Sequence, residues 1–221
     1  MMDYQFLGIS VWLGLVLLVA EWVARFSPED REISRKIVHI GVGNVILLAW
    51  WLNIPAWVGI GAAVAASIIT LVSYWYPLLA SVSEVGRKSL GTFFYSVSIG
   101  ILIAYFWSLG LPAHAVLGVL VMTWGDGLAA LIGKRFGTHL YQVWGMTKSW
   151  EGTGTMAIAS LVVSSTILFW VYGLSWSVAA IAVLVASIAT GLEAFSKFGI
   201  DNLTVPLGSA FVSFGLIQLF A

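Results

Sequence analysis

Eight apolar runs separated by short connections decide what this chain can fold into: Tyr4 to Phe26, Ile37 to Leu52, Ala56 to Tyr76, Ser89 to Trp107, Ala113 to Ile132, Thr153 to Tyr172, Trp176 to Phe195 and Leu203 to Phe220. A helix that crosses a hydrocarbon core of roughly 30 Å needs about 20 largely apolar residues. The second run is short and the last is rich in Gly, Ser and Thr, so the pattern predicts an all-α, polytopic transmembrane helix bundle of seven to eight spans. Composition agrees. Only 9% of the residues are charged and 60% are hydrophobic, whereas a soluble domain carries about 25% charged residues. Ten bases and ten acids are too few to cover a water-facing surface, so the outside is lipid. The first run follows acidic Asp3, lacks a small-residue cleavage site and outruns the roughly 7–15 residues of a secretory h-region, which predicts a retained helix. No linker, soluble appendage or repeat interrupts the runs, and residues 1–221 read as a single integral membrane domain. Zero net charge argues against a nucleic-acid partner, and the absence of Cys removes disulfides, thiolate metal sites and cysteine nucleophiles.

The charges are sorted. Arg25, Arg31, Arg35 and Lys36 lie at the first connection, Arg87 and Lys88 at the third, Lys134, Arg135 and Lys148 at the fifth, and Lys197 at the seventh. Connections two, four and six carry none. Because positive residues in short loops stay in the cytoplasm, this predicts a cytoplasmic charged face with both termini on the opposite side. Glu29, Asp30, Glu32, Glu84, Glu151, Glu193 and Asp201 share that face. The topology rule does not require acids, so they need another reason. Glu21 lies one turn from Arg25, which predicts a local ion pair.

Asp126 is the most pointed residue, set in an otherwise apolar span eight residues before Lys134, roughly 12 Å below the helix end. A carboxylate at that depth must be paired, metal-bound or facing a wet cavity. Function and a structural ion pair with a Lys or Arg of another span both fit. Further on, Gly133-Lys-Arg-Phe-Gly137 and Thr147-Lys-Ser-Trp-Glu-Gly-Thr153 combine glycines, the cations Lys134, Arg135 and Lys148, and the hydroxyl of Ser149, a set suited to phosphate. Neither a Walker A nor a dinucleotide fingerprint is present. Asp126, Asp201 and Glu151 lie at one level, where they could hold Mg²⁺, an ion that takes oxygen ligands and substrate phosphates. Asp201-Asn202-Leu-Thr204-Val-Pro206 opens the last span, as an anion-binding helix start or as a plain N-cap with Pro206 in the first turn. Arg35 and His39, four apart, share a helical face directed at a phosphate or a headgroup. An interfacial anchor fits Arg35 and Lys36 equally, and His114 and His139 receive no role.

Arg35-Lys-x-x-His39, Arg87-x-Ser-x-Gly-Thr92, Gly125-Asp-Gly-Leu-Ala-Ala-Leu-Ile-Gly-Lys-Arg-Phe-Gly137, Lys148-Ser-Trp-Glu-Gly152 and Asp201-Asn-Leu-Thr-Val-Pro206 run in order along the chain. In these the sequence resembles the membrane CTP-dependent lipid kinases that include phytol kinase and dolichol kinase, distant relatives of phosphatidate cytidylyltransferase. The motif-bearing regions are residues 120–155 and 201–206. The resemblance implies transfer of the γ-phosphoryl of CTP to the primary hydroxyl of a long isoprenoid alcohol, of the phytol type by its Asp-Asn-Leu-Thr-Val-Pro ending. It implies Asp126, Lys148 and Asp201 as catalytic residues. Gly133, Lys134, Arg135, Gly137, Ser149, Asn202, Thr204, Arg35 and His39 would bind nucleotide and phosphate, and Asp126, Asp201 and Glu151 would hold Mg²⁺. A CDP-lipid-forming cytidylyltransferase or a diacylglycerol kinase would use the same residue types, and a small ion-coupled transporter with Asp126 as ion site is the non-enzyme alternative.

Overall fold

A computed structural model of the chain describes residues 2–26, 31–75 and 90–220. Glu29, Asp30, Glu84, Arg87 and Lys88 lie outside the described residues. The helices are α1 (Met2–Phe26), α2 (Arg31–Gly43), α3 (Val45–Trp51), α4 (Ala56–Trp75), α5 (Gly91–Leu102, continued by a π-helical turn Ile103–Trp107), α6 (Pro112–Phe136), α7 (Trp150–Tyr172), α8 (Trp176–Ala194) and α9 (Asp201–Phe220). Between α6 and α7 stands an antiparallel hairpin of β1 (Leu140–Val143) and β2 (Met146–Ser149).

Seven helical segments among the described residues are long and apolar enough to cross a membrane, and the chain is a multi-pass membrane protein of almost purely helical fold. The second and last runs, short or polar in sequence, extend as helices to Glu32–Trp51 and Asp201–Phe220, because their charged ends stay helical. The fourth, Gly91–Trp107, is the shorter one. Helices α2 and α3 form one span with a break at Asn44, whose side chain donates to Ile40 O (2.7 Å). Helix α9 starts at Asp201 itself, so Pro206 falls inside the helix and not in its first turn. Without an N–H at residue 206, the Asn202 carbonyl lacks its helical donor.

The centre of the bundle is α6, the most deeply buried span, against which α7, α9, α2 and α3 pack. Small residues allow that. A Cβ at Gly118 would run into the Pro206 carbonyl of α9, and one at Gly127 would come within 2.8 Å of Ile40 on α2. Without a hydrophobic drive between helices in lipid, such close backbone approach is what holds them together. The outer surface of α1, α4, α7 and α8 exposes Leu18, Trp22, Ile68, Val162, Trp170 and Trp176, the pattern of a lipid-facing belt.

Candidate active site

Lys36 and His39 are three residues apart on α2, hence on one face, and both reach Asp126 of α6. The Lys36 Nζ donates to Asp126 Oδ2 at 2.6 Å, and His39 Nε2 stands 3.6 Å from the same oxygen. The Lys36 side chain is only 6% exposed and that of Asp126 19%, so this is an ion pair withdrawn from solvent but not sealed. Removing one partner of such a pair strands a charge. The His39 ring stacks at 4.8 Å on Tyr95 of α5, whose hydroxyl meets Thr123 Oγ1 at 2.5 Å. Arg35 bonds Glu32 Oε1 at 2.5 Å, one turn earlier on its own helix. Of the two bases adjacent in sequence, it is therefore Lys36 that joins His39 at Asp126.

The hairpin delivers the second group. Trp144 and Gly145 form its two-residue turn, both with positive φ (52° and 78°), as a type I′ connection requires. Its register sets Lys148 opposite Tyr141 and Ser149 opposite Leu140. Lys148 Nζ donates to Glu193 Oε1 at 2.6 Å and to the Glu193 carbonyl, at the end of α8. Ser149 is the N-cap of α7, accepting from Gly152 N at 3.1 Å. Asp201 Oδ1 accepts from the backbone (3.0 Å) and side-chain (3.1 Å) nitrogens of Asn202. Glu151 turns elsewhere. Its carboxylate accepts from Thr138 Oγ1 (2.7 Å), the His139 backbone N (3.2 Å) and His139 Nδ1 (2.7 Å), closing the loop after α6.

Two cavities open between these groups. One of 270 Å³ is lined by Gly133, Leu140, Ser149, Gly152, Thr153 and Glu193 among others. One of 630 Å³, within the usual range of about 300–1,000 Å³ for ligand sites, is lined by Arg35, Lys36, His39, Tyr95, Asp201 and Asn202, and by residues of α4. Asp126, Ala130, Lys134, Thr147 and Lys148 line both. The structure thus gathers Arg35, His39, Asp126, Gly133, Lys134, Lys148, Ser149, Asp201 and Asn202 around one pair of connected spaces. Among the described residues, Arg135, Gly137, Glu151 and Thr204 line neither. Arg135 is exposed beside the Phe136 ring, and Thr204 donates to Ile200 O at 3.2 Å. Gly137 packs where a Cβ would stand 2.8 Å from the Ser149 side chain. No group of three or more His, Asp and Glu able to hold a metal forms among the described residues. Asp126 and Asp201 face the same cavity without Glu151.

Lys36 and Glu193 are charged cavity-lining residues to which sequence reasoning gave no part in the site. The signal for Lys36 was available: a carboxylate sunk in a span calls for a cation, and Lys36 sits beside the motif histidine. Glu193 carries no such mark, because its partner lies 45 residues away across the hairpin.

Comparison with known proteins gives a consistent set. The chain is 54% identical over 92% of its length to a protein named phytol kinase from Synechocystis sp., covering 88% of that protein. It is 30% identical to a probable chloroplastic phytol kinase 2 of Oryza sativa subsp. japonica, over 93% of this chain and 73% of the relative. It is also 30% identical to a chloroplastic farnesol kinase of Arabidopsis thaliana, over 84% of this chain and 66% of the relative. No family model matches the chain. No solved structure matches it either.

Proposed function

The chain belongs to the phytol kinase family, and from that premise we propose that it moves the terminal phosphoryl group of CTP onto the primary hydroxyl of a phytol-type isoprenoid alcohol. At the coarser level it is a membrane kinase with an isoprenoid alcohol as acceptor.

The observation that carries the finer reading is the wall common to the two cavities, where Asp126, Lys134 and Lys148 stand. Phosphoryl transfer is chiefly positioning and stabilisation of charge, so two substrates must meet at cations. The smaller cavity offers Lys134, Lys148 and the start of α7 to an anionic donor. The larger leads from Asp126 to the apolar side chains of α2 and α4, suiting a lipid acceptor. The alcohol oxygen bonds to the terminal phosphorus while the bond from that phosphorus to the bridging oxygen breaks, releasing the nucleoside diphosphate. Asp126 orients the hydroxyl, and the proton passes to the Asp126–His39 pair. Lys36 holds the carboxylate in place. Asp126 and Asp201 present hard oxygen donors to one cavity, which fits Mg²⁺, typically bound by one or two carboxylates plus substrate phosphates. When bound, it would neutralise charge on the phosphoryl oxygens. Glu151 stands outside that set. The nucleotide arrives from the cytoplasm, the side to which the basic connections assign this face, with both termini opposite.

The test offers phytol, geranylgeraniol, dolichol, diacylglycerol and a lipid phosphate to the purified protein, with γ-labelled CTP, ATP, GTP or UTP. The expected result is label on phytol or geranylgeraniol, strongest from CTP. Label appearing only in pyrophosphate would mean transfer of CMP to the lipid phosphate, and label on diacylglycerol alone would exclude an isoprenoid acceptor.

A further inference from the structure

An alcohol whose hydroxyl sits at Asp126 has a tail that must go somewhere, and among the described residues the packing leaves a seam beside it. Helix α6 is closed off by α7 and α9, α8 packs on both of these, and α5 packs on α9 and on α4. Helix α2 packs on α1 and α6, and α4 packs on α5 and its π-helical turn, but among the described residues α2 and α4 do not pack closely on each other. The space between them belongs to the large cavity, with Val38 and Val42 on one side, Ala66 and Thr70 on the other, and Tyr95 of α5 behind.

The chemistry of this seam changes along its length. At its charged end are Lys36, His39 and Asp126. One turn deeper on each helix, about 6 Å, lie Val42 and Ala66, and α4 presents Ile68 and Val64 outward beside them. Two hydroxyls along the way are turned to their own helices: Thr70 Oγ1 donates to Ala66 O at 2.7 Å and Ser96 Oγ to Thr92 O at 3.0 Å. What they offer the seam is carbon. A passage that is ionic at one end, apolar in effect along its walls and open to the lipid-facing surface fits a long alcohol lying in the bilayer.

We propose that the seam between α2 and α4 is the lateral portal and tail-binding groove of the isoprenoid acceptor, with Val42 and Ala66 as the pair that gauges the tail beyond its first isoprene units. This rests on the isoprenoid kinase reading and specifies where that substrate lies. At Ala66 no side chain beyond Cβ fills the seam, so a ring at that position closes it.

Two measurements test the groove. A C20 isoprenoid alcohol carrying a photoreactive diazirine at the end remote from its hydroxyl is crosslinked to the unaltered protein in lipid nanodiscs, and the label is mapped by peptide mass. The expected label falls on α2–α3 or α4 and is displaced by unlabelled C20 alcohol. Label confined to α7, α8 or α9 overturns the groove, even where the C20 alcohol is a good substrate. In parallel, Ala66→Phe and Val42→Phe are assayed with C20 and C10 isoprenoid alcohols. Tenfold or greater loss of kcat/KM for the C20 alcohol, less than threefold for the C10 alcohol, and an unchanged nucleotide KM support it. Equal loss for both alcohols, or no loss for C20, overturns it. Failure of the wild-type protein to phosphorylate any isoprenoid alcohol overturns the kinase reading itself, a result distinct from misplaced label.

Discussion

Helix α6 carries two polar residues withdrawn from solvent, His114 in its first turn and Asp126 just past its middle, and the two are treated in opposite ways. His114, fully buried, has both ring nitrogens satisfied, by Ser213 Oγ and by Tyr172 OH, each at 2.8 Å, and sits among the rings of Phe106 and Phe214. Asp126, twelve residues on and so about 18 Å along the axis, has Lys36 at 2.6 Å and His39 at 3.6 Å, and it also borders two cavities. At His114 hydrogen bonding is complete and access is nil, so the cluster clamps α6 to α7 and α9. At Asp126, neutralisation is local while one side stays open. Burial of a polar group does not by itself separate a clamp from a group that a substrate can reach; an open space beside it does.

The sharpest way to break this contrast is at Asp126. Asp126→Asn is expected to lower phosphoryl transfer by about 10³-fold, on the scale of removing a charged group from a transfer site. It also strands Lys36, so the double variant Asp126→Asn with Lys36→Met should regain much of the lost thermal stability and none of the activity. Activity recovered with stability would make the pair a clamp like His114. Next in size, Lys148→Met should raise the nucleotide KM by roughly 10- to 100-fold, as expected for a lost charge-assisted contact of about 1.5–3 kcal/mol. Saturating nucleotide should restore most of the rate, and a kcat loss that saturation leaves in place would place Lys148 elsewhere. His114→Ala should cost about 2 kcal/mol of stability by leaving Ser213 and Tyr172 without their common partner, while kcat of the folded fraction stays as in wild type; unfolding in detergent and steady-state assays on the same sample separate the two. Smallest of all, Glu151→Gln should change transfer less than threefold. A hundredfold loss with a shifted Mg²⁺ requirement would return Glu151 to the metal set.

How much of this was legible in the sequence varied with the range of the interaction. The helices were, because about 20 apolar residues in a row leave the backbone no other partner in lipid. So was the Glu21–Arg25 ion pair, one turn apart on α1 at 3.0 Å. Asp126 was marked by its depth. Its partner was not, since 90 residues separate Lys36 from it and only the packed bundle joins them. The same applies to Lys148 with Glu193 and to Glu151, whose direction toward His139 depends on how the hairpin folds back. The hairpin is not legible in the sequence, because Trp144, at positive φ, takes a place in a type I′ turn that Asn, Asp or Gly usually fills, and only Gly145 fits the pattern.

The 90-residue gap between Lys36 and Asp126 also bears on how the chain is made. The segment Glu32–Trp51 is the least hydropathic of the seven. At a synthesis rate of about 5–20 residues per second, its ammonium waits roughly 5–18 s for a counter-ion. The second helix thus leaves the ribosome long before the carboxylate that pairs with its ammonium exists, and this contact can close only once the sixth helix has been made.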